Sequence, residues 1–155
     1  MSLDDLYKDI ILDHYQHPRN RGALEDPDVA VRGHNPLCGD EVLLSAAIRD
    51  GKIADIGTAG RGCSISQATS SMMTESVKGG TLEEARRLAG EFKTLMTGDA
   101  ASVDLSANSD LEALQGVKRF PVRVKCALLP WTALLEALDT WESSPRGKQE
   151  AAATS

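Results

Sequence analysis

The residues of this chain best equipped for chemistry are its three cysteines, Cys38, Cys63 and Cys126. A thiolate attacks sulfur, oxidises or ligates a metal, and its reactivity depends on what surroundings hold it ionised. No zinc-finger spacing relates the three, and scattered cysteines are most often small buried hydrophobes. Local context reverses that expectation for two of them. Cys38 stands in Asn35-Pro36-Leu37-Cys38-Gly39-Asp40, a run of turn formers between two expected strands where a packing thiol has little reason to sit. Gly39 lets the backbone fold sharply enough for the Cys38 thiolate and the Asp40 carboxylate to face one ion. Without the cysteine, Asp40 would read as a turn residue bonding its own backbone. Cys63, in Gly60-Arg61-Gly62-Cys63-Ser64-Ile65-Ser66, leads from a strand into a helix, where unsatisfied N–H groups stabilise a thiolate. The alternative is a core cysteine behind the helix cap.

Cys126 follows residues 117–125, which carry Lys118, Arg119, Arg123 and Lys125 and no acid. Such a stretch favours ionised thiolates and attracts an acidic partner, although a charge run is more often a solvated face. The histidines His14, His17 and His34 show no ligand spacing and are assigned no catalytic role; His14, at a helix edge, reads as a packed or surface residue.

Elements must bring these positions together. With 155 residues and 41% apolar side chains the chain can bury one core without disulfide staples. A net charge of -6 argues against nucleic acid, whose phosphates need clustered cations. Three unpaired cysteines fit a reducing compartment, no stretch is apolar enough to span a bilayer, and the start of the chain does not resemble a secretory signal. The expectation is a cytoplasmic protein with no membrane and no nucleic-acid partner.

Leu3, Leu6, Tyr7, Ile10, Ile11 and His14 recur at helical steps, predicting a first helix capped by Ser2 and ending near His17-Pro18. Val29 and Val31 suggest a short strand, Val42, Leu44, Ala46 and Ile48 a second, and Asp50-Gly51 a tight hairpin into a third through Ile53 and Ile56. Helical spacing returns with Ile65, Ala68, Met72 and Val77, stopped by Gly79-Gly80. Thr81 and Glu84 form a capping box for the stripe Leu82, Ala85, Leu88, Ala89, Phe92, Leu95 and Met96. Residues 98–109 read as an inserted loop, followed by a short helical turn around Leu111 and Leu114 that Gly116 closes. A last helix starts at Pro121 and runs past Leu128, Trp131, Leu135 and Leu138 toward Trp141. Pro130 within it clashes with the Cys126 carbonyl, predicting a kink or a later start. The expected fold is α+β, a three-stranded antiparallel sheet packed against several helices over residues 1–142. Residues 143–155, with little to bury, are expected to be a disordered tail.

Taken together, these motifs resemble the IscU/NifU-type iron–sulfur cluster assembly proteins, and within them the SufU branch. The resemblance is carried by Leu6-Tyr7, Asp13-His14-Tyr15 and His17-Pro18-Arg19-Asn20, by the segments around Cys38 and Cys63 with Ser70-Ser71-Met72-Met73, and by Phe120-Pro121-Val122-Arg123-Val124-Lys125-Cys126-Ala127. It implies zinc held by Cys38, Asp40, Cys63 and Cys126, three thiolates and a carboxylate that suit a tetrahedral ion. It also implies that Cys38 accepts persulfide sulfur from a SufS-type cysteine desulfurase, with downstream SUF cluster-assembly proteins as recipients. The chain would then be a sulfurtransferase partner rather than a stand-alone enzyme. Arg123 and Lys125 would steer the partner or support the departing thiolate. Lys125 stands where the general family has a cluster-binding histidine. Two other roles would use the same residues: a scaffold that builds and transfers a [2Fe–2S] or [4Fe–4S] cluster, and a zinc-stabilised adaptor for the desulfurase.

Overall fold

The computed structural model of the protein describes residues 3–35, 39–98, 111 and 113–145. Ser2, the loop through residue 109 and the tail beyond residue 145 therefore lie outside the described residues. The elements are α1 (Leu3–Gln16), β1 (Val29–Asn35), β2 (Asp40–Arg49), β3 (Lys52–Arg61), α2 (Ser64–Val77), α3 (Leu82–Thr97), a 3-10 helix (Ala113–Arg119) and α4 (Pro121–Ser143). The strands form one antiparallel sheet in the order β1-β2-β3, the α+β arrangement expected.

Period-two burial sets the sheet's inner face. Val42, Leu44, Ala46 and Ile48 are all buried, and α4 packs over β1 and β2 on that side. Asp50 and Gly51 both take positive φ, 55° and 73°, which is the type I′ geometry whose twist matches that of paired strands. Ile53 and Ile56 are both buried although three residues apart, which a regular strand forbids. The register explains it: Ala47 pairs with Asp55 but Ile48 with Ile53, so Ala54 is an extra residue in a β-bulge that turns both isoleucines inward.

The helices follow their apolar stripes. Thr81 Oγ1 accepts the Glu84 N–H at 3.0 Å, the expected cap of α3, and the buried face of that helix runs from Ala85 to Met96. Phe92 stacks on Trp131 of α4 with centroids 5.0 Å apart. Trp131 Nε1 donates to Thr69 Oγ1, which donates to the Ala127 carbonyl, so the large indole is buried without an orphaned N–H. His14 is fully buried against α2, its Nδ1 2.8 Å from Ser71 Oγ, a packed residue as expected.

One expectation needs correction, and one of two alternatives at Pro130 is excluded. Gly116 does not close the turn after Leu111; the 3-10 helix runs through it to Arg119, with Ala113, Leu114 and Val117 buried. Burial on both sides of Gly116 outweighs its weak helix propensity. The last helix does not start late because of Pro130: it begins with Pro121 at its first turn and continues unbroken to Ser143. Pro130 is itself buried, and packing on both sides offsets the missing hydrogen bond.

Candidate metal centre

The end of the sheet where β1 turns into β2 is also where β3 meets α2. Asp40 is the first residue of β2, paired with Asn35, and Gly39 reaches it with φ +73° while its N–H bonds the Asn35 carbonyl at 2.9 Å. Asp40 is only 2% exposed. A buried carboxylate must be held by donors or cations, and Asp40 Oδ1 accepts the backbone N–H of Cys63 at 3.0 Å. Its other oxygen, Oδ2, lies 3.6 Å from Cys63 Sγ. One oxygen is thus anchored and the other is presented.

Cys63 is the N-cap of α2, in extended conformation, and its carbonyl accepts the Gln67 N–H at 3.1 Å. Cys126 lies in the second turn of α4, fully buried. Ligand atoms of Asp40, Cys63 and Cys126 all fall within 4.8 Å of one another. A tetrahedral zinc ion with bonds of about 2.3 Å to sulfur and about 2.0 Å to oxygen requires a sulfur–oxygen edge of about 3.5 Å. The 3.6 Å between Asp40 Oδ2 and Cys63 Sγ matches it, so the donor set fits a single small cation of that kind.

Small residues make the approach possible. At Gly60, with φ +118°, a Cβ would stand 2.3 Å from the Glu41 carbonyl oxygen. At Gly62 a Cβ would meet Ser66 Oγ at 2.3 Å and Asp40 Oδ1 at 2.8 Å. Ser66 was not among the residues singled out from sequence. Its hydroxyl donates to the Cys63 carbonyl at 3.1 Å and lies 3.9 Å from Cys63 Sγ, bracing the ligand turn. The visible signal is its place three residues after the N-cap, the spacing at which a polar side chain folds back on a helix start.

Of the cations, Arg123 reaches the site. Interaction with Cys63 first, and with the charges of Cys126 and Asp40, raises its guanidinium pKa above the ordinary arginine value. Lys125 is exposed on α4 and does not enter the cluster. Cys38 lies outside the described residues. The structure therefore brings together three of the four expected ligands and Arg123.

A small α+β domain that converges two thiols and a carboxylate from three different elements defines a class of metal-dependent sulfur-handling proteins. This chain belongs to the NifU-like N terminal domain family, whose sequence model matches residues 6–141. It is 44% identical over 135 residues to the zinc-dependent sulfurtransferase SufU of Bacillus subtilis, covering 86% of this chain and 89% of that protein. It is 41% identical to the iron–sulfur cluster assembly scaffold protein IscU of Streptococcus pyogenes, over 88% of this chain and 84% of the relative. A crystal structure from Fervidobacterium islandicum AW-1, described as an iron–sulfur cluster assembly scaffold protein for the SUF system, superposes with a TM-score of 0.79 at 33% identity. The superposition covers 88% of this chain and 99% of that one.

Proposed function

We propose that this chain is a zinc-dependent sulfurtransferase of iron–sulfur cluster assembly that takes persulfide sulfur from a cysteine desulfurase. The observation that carries the reading is the meeting of Asp40 Oδ2, Cys63 Sγ and Cys126 Sγ within 4.8 Å. Zinc bound there keeps thiols deprotonated without oxidising them, because it has no redox chemistry of its own.

Cys38 is the sulfur acceptor in this reading. It is two residues from Asp40, so covalent geometry keeps its Cα within about 7.3 Å of that residue's Cα, which supports the fourth-donor role implied by the family resemblance. Transfer is a displacement: the Cys38 thiolate attacks the outer sulfur of the donor's persulfide, a new S–S bond forms at Cys38, and the donor cysteine leaves as a thiolate. No electrons are gained or lost overall. Arg123, which interacts electrostatically with Cys63, supplies positive charge beside the thiolates. Asp40, Cys63 and Cys126 would hold the ion, leaving Cys38 to react. Thiol chemistry of this kind suits a reducing cytoplasm. Among the described residues no helix is long and apolar enough to cross a membrane.

The scaffold role named for the IscU relative is the second reading, since thiolates are also the usual ligands of clusters. Lys125, an amine on an exposed stem beside Cys126, favours the zinc reading because it offers a cluster no ligand comparable to an imidazole.

Metal analysis of anaerobically purified protein, joined to transfer of radiolabelled sulfur from a desulfurase supplied with cysteine, tests the proposal. Stoichiometric zinc and a label that disappears in Cys38→Ala support it. Stoichiometric iron with inorganic sulfide supports the scaffold. A Cys38→Ala protein that stimulates the desulfurase as well as the native chain supports an adaptor.

A further inference from the structure

A cavity of about 640 Å³ lies between α1, the 3-10 helix and the starts of α2 and α4. Its apolar floor includes Ile11, Leu12, Val117 and Phe120, of which Leu12 is 38% and Phe120 58% exposed. A large aromatic left facing water at the mouth of a groove is the kind of anchor that protein interfaces use. Lys8, Arg119 and Arg123 also line it, and no acidic residue does among the described lining residues. In a chain of net charge -6 this is a cationic rim around an apolar centre, the inverse of the surface as a whole.

The groove also runs up to the ligand cluster. Ser64, next to Cys63, forms part of its wall, and Arg123, which also lines the groove, feels the charges of Cys63, Cys126 and Asp40. A segment seated in it therefore lies at the edge of the metal centre. We infer that this groove is the docking site of the sulfur donor, which inserts an apolar side chain flanked by carboxylates. The inference rests on the sulfur-acceptor reading and adds to it the surface and chemistry of recognition. The donor is the partner with most to gain from that position, since its persulfide must be held near the acceptor rather than meet it by chance. Charge complementarity at the rim acts chiefly on the rate of encounter, and apolar insertion on the lifetime of the complex.

The test is the double charge reversal Lys8→Glu/Arg119→Glu in the full zinc-loaded chain, compared with native protein for binding to the cysteine desulfurase of the same organism. Both side chains are exposed and neither belongs to the ligand cluster. At low salt the association rate should fall about tenfold or more, with the gap closing toward about 0.5 M salt as the charges are screened. Leu12→Ser should instead raise the dissociation rate several-fold. Zinc content should be unchanged in both, and sulfur transfer at saturating donor should match native, so the loss appears in KM and not in kcat. Unchanged association and dissociation rates overturn the inference. So does a native self-association that the charge reversal abolishes, which would make a second copy the occupant. Tighter donor binding after residues 101–108 are replaced by a Gly-Ser linker of equal length would overturn it too, by making the chain's own segment the occupant of the groove. A native chain that binds the donor but takes no label sinks the acceptor reading, while the binding rates still judge the groove.

Discussion

Gly62→Ala should cut metal affinity while leaving all three described ligands in place. The added methyl group would stand 2.3 Å from Ser66 Oγ, 2.8 Å from Asp40 Oδ1 and 3.0 Å from Asp40 Cγ. Comfortable contacts begin near 3.5 Å, so Ser66 must retreat by roughly 1 Å and the carboxylate by roughly half that. Rotating Ser66 away sacrifices its bond to the Cys63 carbonyl, about 1 kcal/mol. Moving Asp40 matters more for function, because metal–ligand distances tolerate only about 0.2 Å. A loss of roughly 10- to 100-fold in zinc affinity follows, the range typical of disturbed supporting contacts. Competition against a zinc-chelating dye measures it, with thermal unfolding of the metal-free protein as the control for folding. Adding Ser66→Ala removes the 2.3 Å clash but leaves the Asp40 contacts, so the double variant should regain stability without regaining affinity. Affinity within about twofold of native in Gly62→Ala, or its full recovery in the double variant, would refute the reasoning.

Other changes separate the frame from the site. Gly90→Ala, in an exposed turn of α3 with nothing within 4 Å of the new methyl, should stabilise the protein by about 0.5–1 kcal/mol in urea titrations and leave zinc binding unchanged. Phe92→Ala removes a fully buried ring stacked on Trp131 and should cost about 3–5 kcal/mol in the same titrations. The hydrogen bond from Arg19 to Asp13, at 2.7 Å, holds the Asp13 pKa below its ordinary 3.8 in the folded state. Its stabilisation is therefore present above 3.8 and is lost as pH falls through the lowered folded pKa. Asp13→Asn should unfold slightly more easily than native at pH 7, with the difference vanishing in acid once both states are protonated. A gap that persists in acid would contradict this.

What sequence could reveal depended on whether a signal was local. The alternation from Val42 to Ile48 and the Asp50-Gly51 turn were legible because side-chain period and left-handed φ are properties of short stretches. The bulge at Ala54 was not, since only the pairing partner reveals the extra residue. Gly116 misled for a similar reason: its propensity is local, whereas the packing of Ala113 and Val117 that overrides it is tertiary. At the site, Asp40 and Cys63 carried local signals, a turn and a helix start, whereas Cys126 joined them only through the family resemblance, because a run of cations more often marks a solvated face and the spacing said nothing. The electrostatic coupling of Arg123 to Cys63 links residues whose juxtaposition only the folded chain supplies, whereas the brace from Ser66 is local to the start of its helix. His14 was read as packed or surface, and its partner Ser71 lies 57 residues away.

Pro130 gives α4 an uneven mechanical character. Because it has no N–H to offer the Cys126 carbonyl, the stub from Pro121 to Cys126 is coupled to the rest of the rod by one strut fewer. Beyond it, Trp131, Leu134, Leu138 and Trp141 are wedged into the interior and resist displacement. Small tilts of the stub therefore cost less than equal tilts of the shaft. The Cys126 thiol, carried on such a pivot, can shift slightly relative to Asp40 and Cys63 without dragging the packed interior along.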